Sequence, residues 1–225
     1  MKKFIQTIKN IFSIEDLKNR ILFTLGLILV YRLGSFIIIP GVNSEVLAQA
    51  HEGGGAQGLV GLISTFTGGA FSRASIFALG VMPYISASII MQLMTAVTPS
   101  LEQLKKEGDA GRRKISQYTR YFTVMLATFQ GIAMAVGFSG QAYGGEPGFS
   151  FYFIAVVSLV TGAVFMMWLG EQVTERGIGN GISIIIFAGI VAGLPTAIGG
   201  TLELVRTGEL HTLATIFLFA LAVLV

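Results

Sequence analysis

The chain offers few residues with which to make or break a covalent bond. It has no cysteine, so thiolate catalysis, disulfides and cysteine-based metal centres are excluded. Its histidines, His51 and His211, lie far apart in the sequence, which argues against a histidine-rich metal site. No Gly-x-Ser-x-Gly run occurs, and the apolar stretches hold neither a Ser–His pair nor two carboxylates, so an intramembrane hydrolase has nothing to work with. Gly177-Ile178-Gly179-Asn180-Gly181 has the look of a phosphate cradle. It follows an apolar stretch rather than a strand, however, and no Lys-Ser/Thr completes it, so an unwound turn is the better reading. Neither an enzymatic reaction nor a bound cofactor or metal is expected.

The residues of interest are instead those that sit awkwardly in an apolar setting. Val81, Ile85, Ser88 and Gln92 step by four, three and four, so a helix presents them on one face. That face is apolar at its middle and polar below, which suits a funnel narrowing to a dry constriction. Ordinary helix packing through small and polar residues explains the same stripe. Pro83 is expected to kink this segment. Arg32 lies inside an apolar run, where a central charge costs roughly 2.5–3.5 kcal/mol. Two readings fit it: snorkelling to the outer surface, or a buried polar partner in a part of the protein beyond this chain. Residues 58–70 are apolar but too short to cross a bilayer, with Gly53-Gly54-Gly55 before them and Gly68-Gly69 near their end. They read either as a re-entrant helix buried in protein or as an outer-surface loop.

These residues are carried on membrane-spanning elements. The 225 residues are 53% hydrophobic and only 12% charged, about half the charge of a soluble domain. Apolar stretches at about 21–39, 74–97, 118–138, 151–169 and 182–202 each approach the roughly 20 residues that span hydrocarbon as a helix. Another opens near 211 and is still apolar at Val225, as though the sequence stops inside a sixth span. The expected fold is all-α: a polytopic transmembrane bundle. Residues 1–20 form an interfacial helix or a polar tail, 21–202 the first five spans, and 203–225 a loop and the start of a sixth. Ser13 followed by Asp16 is a weak helix-start signal. Ala48-Gln49-Ala50 imitates a signal-peptidase site but lies too far past a run too long for a signal peptide.

The bases set the orientation. Of fifteen Lys and Arg residues, twelve precede the first span or lie between spans two and three or four and five, while the opposite loops offer only Arg73. The N-terminus is therefore expected on the cytoplasmic side. The Lys105–Arg120 cluster is explained by topology alone or by a partner as well. A positive net charge so distributed gives no reason to expect sequence-specific nucleic acid.

Four long segments, in order, resemble the bacterial SecY protein-translocation channel family. They are Tyr31–Phe36, Ala78–Ile90 (Ala-Leu-Gly-Val-Met-Pro-Tyr-Ile-Ser-Ala-Ser-Ile-Ile), Lys106–Tyr121 and Trp168–Ser183 (Trp-Leu-Gly-Glu-Gln-Val-Thr-Glu-Arg-Gly-Ile-Gly-Asn-Gly-Ile-Ser). The resemblance implies ten spans in two inverted halves around a pore, of which this chain supplies the first half and the start of span six. It implies that the short 59–72 helix, with Leu59, Val60, Leu62, Ile63, Phe66, Thr67, Gly68 and Gly69, is a plug. It implies that Val81, Ile85 and Ile186 belong to an apolar pore ring, and that Ser86, Ser88 and Gln92 lie near a lateral gate. Ile186 sits uneasily, only a few residues past the glycine-rich turn, unless that turn dips into a cytoplasmic funnel.

The implied activity is passage of secreted and membrane-inserting polypeptides through the bacterial plasma (inner) membrane. Implied partners are SecE- and SecG-type small membrane subunits, a SecA-type motor ATPase, the ribosome, signal sequences with their nascent polypeptides, and the lipid bilayer. The competing reading is half of an inverted-repeat solute transporter, which its apolar waist disfavours.

Overall fold

The computed structural model describes residues 13–43, 64, 66–142 and 147–207. Six α-helices are named here: α1 (Glu15–Gly34), α2 (Met82–Val97), α3 (Pro99–Lys106), α4 (Asp109–Gly137), α5 (Phe149–Arg176) and α6 (Gly181–Arg206). A 3-10 turn, Ser139–Gln141, follows α4. The all-α expectation holds. The expectations for residues 1–12, for 59–63 of the short helix and for the sixth span from about 211 lie outside the described residues.

α1 starts earlier and stops earlier than the first apolar run. Glu15 and Asp16 occupy its first turn, where carboxylates complement the helix dipole. Ile14, not Ser13, holds the cap position, and no side chain caps it. Beyond Gly34 the chain runs extended: Ile39 N–H donates to Ala74 O (2.9 Å) and Ile76 N–H to Ile37 O (3.0 Å). This pairing takes 37–39 out of the helix.

The expected second span, 74–97, is helical only from Met82. Residues 67–81 form successive turns, with Ala74 at φ 44° and Gly80 at φ 55°, and two such left-handed residues cannot sit in an α-helix. The Ser75 hydroxyl donates to Gly34 O (3.2 Å) and accepts from Phe77 N–H (3.2 Å), so the broken backbone is satisfied internally as a bilayer demands. The expected Pro83 kink is absent. Pro83 lies in the first turn of α2, where its missing N–H has no partner to lose.

The bend comes later, at the Val97–Pro99 junction, where α3 turns 98° from α2. α4 then runs unbroken from the basic cluster into the apolar stretch, so Arg112–Arg120 is helix rather than loop. Among the described residues, α5 and Gly181–Thr201 of α6 are long and apolar enough to cross a membrane by length and composition, with a third candidate if the bent α2–α3 pair is one span. α4 carries its charges toward its N-terminal end, whereas α1 has charged residues in its first turns and Arg32 in its last.

Two apolar clusters hold the bundle. One joins Ile39, Ala74, Ala78, Ala127, Ala135, Leu159 and Ala163; its alanines let α4 and α5 approach closely, the membrane mode of packing. Gly162 extends this logic, since a Cβ there would run into the Ile76 carbonyl. The second cluster contains Tyr31, Phe77, Val81, Met166, Leu169 and Ile185. Large apolar side chains such as Leu29, Phe129 and Phe153 point outward, as lipid-facing or partner-facing surface requires.

Candidate functional site: an apolar waist and its strap

The second cluster opens into a cavity of about 190 Å³. Val81, at the cap of α2, and Ile85, one turn on, form one side. Ile185 and Ile186, one turn into α6, form another, and Met166 of α5 sits among them. Phe66, at a helical position, and Thr67, in the turns before α2, also line it, with Tyr31, Gly80 and Met82. The three expected ring positions, Val81, Ile85 and Ile186, are thus brought together on one cavity. Two of the expected plug positions, Phe66 and Thr67, face the same space.

The start of α6 explains how Ile186 reaches it. Asn180 caps this helix, its Oδ1 accepting from Ile182 N–H (3.0 Å) and Ser183 N–H (3.3 Å). The glycine turn before it is packed tightly rather than loose. Ile178 N–H donates to Thr24 Oγ1 on α1 (3.2 Å), and Gly181 N–H donates to Thr174 Oγ1 on α5 (2.9 Å). A side chain on Gly181 would strike the Gly170 carbonyl. The turn is therefore wedged between α1 and α5, and the reading of 177–181 as an unwound turn is borne out.

Residues 66–70 form a strap beside the cavity. Phe66 is half exposed, and Thr67 and Gly68 are buried. The strap is turn rather than helix from Thr67 onward, so helix is ruled out for 67–72 of the expected 59–72. Leu59, Val60, Leu62 and Ile63 lie outside the described residues. Gly69 N–H donates to Ser64 O (2.8 Å), and the Ser64 and Ser72 hydroxyls are hydrogen-bonded to each other. Gly68 and Gly69 adopt φ of 62° and 83°, a region in which only glycine is unstrained.

Arg32 finds a polar partner within the chain, which corrects the expectation of one in a part of the protein beyond it. Its Nη1 donates to Gly68 O (2.9 Å), and the buried Tyr31 hydroxyl donates to Thr67 O (3.1 Å). The Arg32 guanidinium also lies 5.4 Å from the Phe36 ring centre, and that of Arg73 lies 4.5 Å from it. Neither hydrogen bond was legible beforehand; the available signal was a Tyr-Arg pair inside an apolar run with two glycines downstream.

Of the expected gate residues, Ser88 and Gln92 line a separate cleft of about 270 Å³, shared with Lys105, Arg112, Ser116 and Thr119. Ser86 lines neither space. Arg120 Nε donates to Glu171 Oε1 (2.9 Å), tying α4 to α5. Among the described residues no cluster of three or more acidic, cysteine or histidine side chains could hold a metal.

Broken helices packed around an apolar waist, with a backbone strap beside it, define a helical membrane protein. A family model for SecY matches residues 75–225, and the chain belongs to the SecY family. It is 60% identical over 213 residues to the protein translocase subunit SecY of Escherichia coli K12, covering 93% of this chain and 48% of that protein. The SecY of Buchnera aphidicola (subspecies Acyrthosiphon kondoi) is 60% identical over 217 residues, covering 95% of this chain and 60% of the relative. The chain thus spans about half the length of most curated relatives it matches. Two solved structures share the fold at 18% identity and a TM-score of 0.65, each over 92% of this chain: a canine Sec61 in a ribosome-channel complex from the endoplasmic reticulum, and a protein conducting channel. The chain covers 47% and 46% of those two chains.

Proposed function

We propose that this chain is the N-terminal half of a protein-conducting channel subunit, serving secretion and membrane insertion of polypeptides. The observation that carries the reading is the meeting of Val81, Ile85 and Ile186 with Phe66 and Thr67 around one apolar cavity. No bond is made or broken. Branched aliphatic side chains exclude water and ions by dewetting, and the same side chains yield to an extended polypeptide. The strap at 66–70 acts as the foot of the plug. Apolar signal helices leave sideways into lipid, where about 20 apolar residues are stable, past Ser86, Ser88 and Gln92.

The half-transporter alternative finds no support in relatives named as translocase subunits, nor in a waist whose polar groups are confined to Tyr31 and Thr67. The setting is the bacterial plasma membrane with the N-terminus in the cytoplasm, as the basic asymmetry favours. Partners are SecE- and SecG-type subunits, with a SecA-type motor or a ribosome supplying the drive. A chimera in which this chain replaces the matching segment of the E. coli relative tests the reading. In inverted membrane vesicles it should move a signal-bearing polypeptide into protease protection. A chimera that inserts and folds but protects no substrate would overturn the reading.

A further inference from the structure

We propose that Tyr31 and Arg32 are positioning residues that clasp the strap at 66–70 against the waist and so set how firmly the resting channel is shut; this rests on the channel reading above.

The geometry is unusual in where the bonds go. Adjacent residues on α1 each donate to the backbone of adjacent residues on the strap, Tyr31 to Thr67 O and Arg32 to Gly68 O. A side chain hydrogen-bonded to backbone holds a chain path whatever side chains that path carries. The Tyr31 bond is buried and the Arg32 bond partly so: Tyr31, Thr67 and Gly68 are buried, and Arg32 is half-buried. A charged donor there is stronger than a neutral one, and an arginine cannot shed its proton to escape the setting. The cost of keeping Arg32 in an apolar span is thereby turned into a hold on the strap.

Helix α6 closes the clasp from the other side. A Cβ on Gly189 would lie 2.8 Å from Phe66 O and 3.1 Å from Tyr31 Oη. A Cβ on Gly68 would lie 3.1 Å from Gly189 Cα, 3.1 Å from Tyr31 Oη and 3.3 Å from Arg32 Nη1. The strap backbone is therefore gripped between α1 and α6 with no room for a methyl group. Within the strap, the bonds run back to its own neighbours: Thr67 Oγ1 donates to Ser64 O (3.2 Å), and Phe71 N–H donates to Thr67 Oγ1 (3.2 Å). Those bonds shape the strap, whereas Tyr31 and Arg32 fix where it sits.

The consequence is a threshold set by few bonds. α1 and the strap have only to shift apart by about an ångström for both bonds to lengthen beyond hydrogen-bonding range. An incoming polypeptide that spreads the bundle would release strap and waist together.

The test is hydrogen exchange of the amides in 66–70, read by mass spectrometry in the chimeric channel in lipid nanodiscs, with resting ion leak recorded in parallel. Arg32→Gln, Tyr31→Phe and Gly189→Ala should each speed exchange of the strap by about tenfold, the weight of one buried hydrogen bond to a charged or well-placed donor. Exchange in α5 should stay at the parent level, and Arg32→Lys should restore part of the protection. Should Arg32→Gln also loosen α5, Tyr31→Phe, which removes a single hydroxyl, decides the matter. Parent-level exchange at 66–70 in a folded Arg32→Gln or Tyr31→Phe channel would overturn the clasp, and would leave the channel reading standing if Ile85→Asn still raises the leak. Faster strap exchange with a raised leak supports both. Faster strap exchange without leak, in a channel where Ile85→Asn is also silent, supports the clasp as a hold on the strap and rejects dewetting at the waist. Faster strap exchange without leak where Ile85→Asn does leak overturns the clasp as a determinant of closure.

Discussion

Replacing Ile85 with Asn puts a polar, smaller side chain into the waist. Water entering an apolar space needs two to four polar partners. The cavity offers few, and the Tyr31 hydroxyl is already committed to Thr67 O. A volume of about 190 Å³ has room for roughly six waters at the liquid's ~30 Å³ each, so polarity rather than space decides whether it fills. Asn supplies a donor and an acceptor, each stabilising a bound water by about 1 kcal/mol net. Two such bonds favour the wetted waist by about 2 kcal/mol, or roughly thirtyfold in its population. Resting ion conductance of the chimeric channel in planar bilayers should rise by at least about tenfold. Ile85→Val, which keeps the site apolar, should leave it near the parent value. A folded Ile85→Asn channel with parental conductance would refute dewetting at this ring.

Other consequences can be checked more simply. Gly162→Ala should cost about 1–3 kcal/mol of stability, because the added methyl meets the Ile76 carbonyl; thermal denaturation in detergent should show a clear loss, whereas Gly26→Ala, with nothing within 4 Å, should lose none. Breaking the Arg120–Glu171 pair should matter little, since the Arg120 side chain is 46% exposed; a double-mutant cycle should return no more than about 1 kcal/mol of coupling. Single cysteines at positions 53 and 143 should react with an impermeant reagent outside sealed cells, while those at 108 and 177 should not; outside labelling at 108 would reverse the orientation. Reconstituted without a second half, residues 1–225 should not bring a signal-bearing substrate into protease protection.

Which parts of this were legible in sequence follows a physical line. Length and hydropathy located α5 and α6, because a bilayer forces a long apolar helix to declare itself. The period of four and three placed Val81, Ile85, Ser88 and Gln92 on one face, although Val81 only caps the helix, and its upper and lower halves open on two different spaces. Hydropathy could not reveal that 74–81 is not helical. The turns there are as apolar as a helix, and only the pairing of Ile37 and Ile39 with residues 74–76 breaks it. Proline misled for a related reason, since Pro83 kinks a helix only where one has already begun. Arg32 was conspicuous as a charge in an apolar run, but its partner is a backbone carbonyl, a group every residue carries and no sequence marks. The union of Ile186 with Val81 and Ile85 came from family resemblance; counting along the chain argued against it. The glycine turn explains it, because wedging 177–181 between α1 and α5 sets where α6 begins.

The central claim is that a polypeptide passes through the ring formed by Val81, Ile85 and Ile186. It is tested most directly by stalling a signal-bearing polypeptide halfway through the chimeric channel, with a photocrosslinking residue at one position at a time. Probes at 85 and at 186 should both capture the stalled chain in high yield, and a probe at 153, on the outward face of α5, should capture lipid instead. Capture at 153 with none at 85 or 186 would contradict the account.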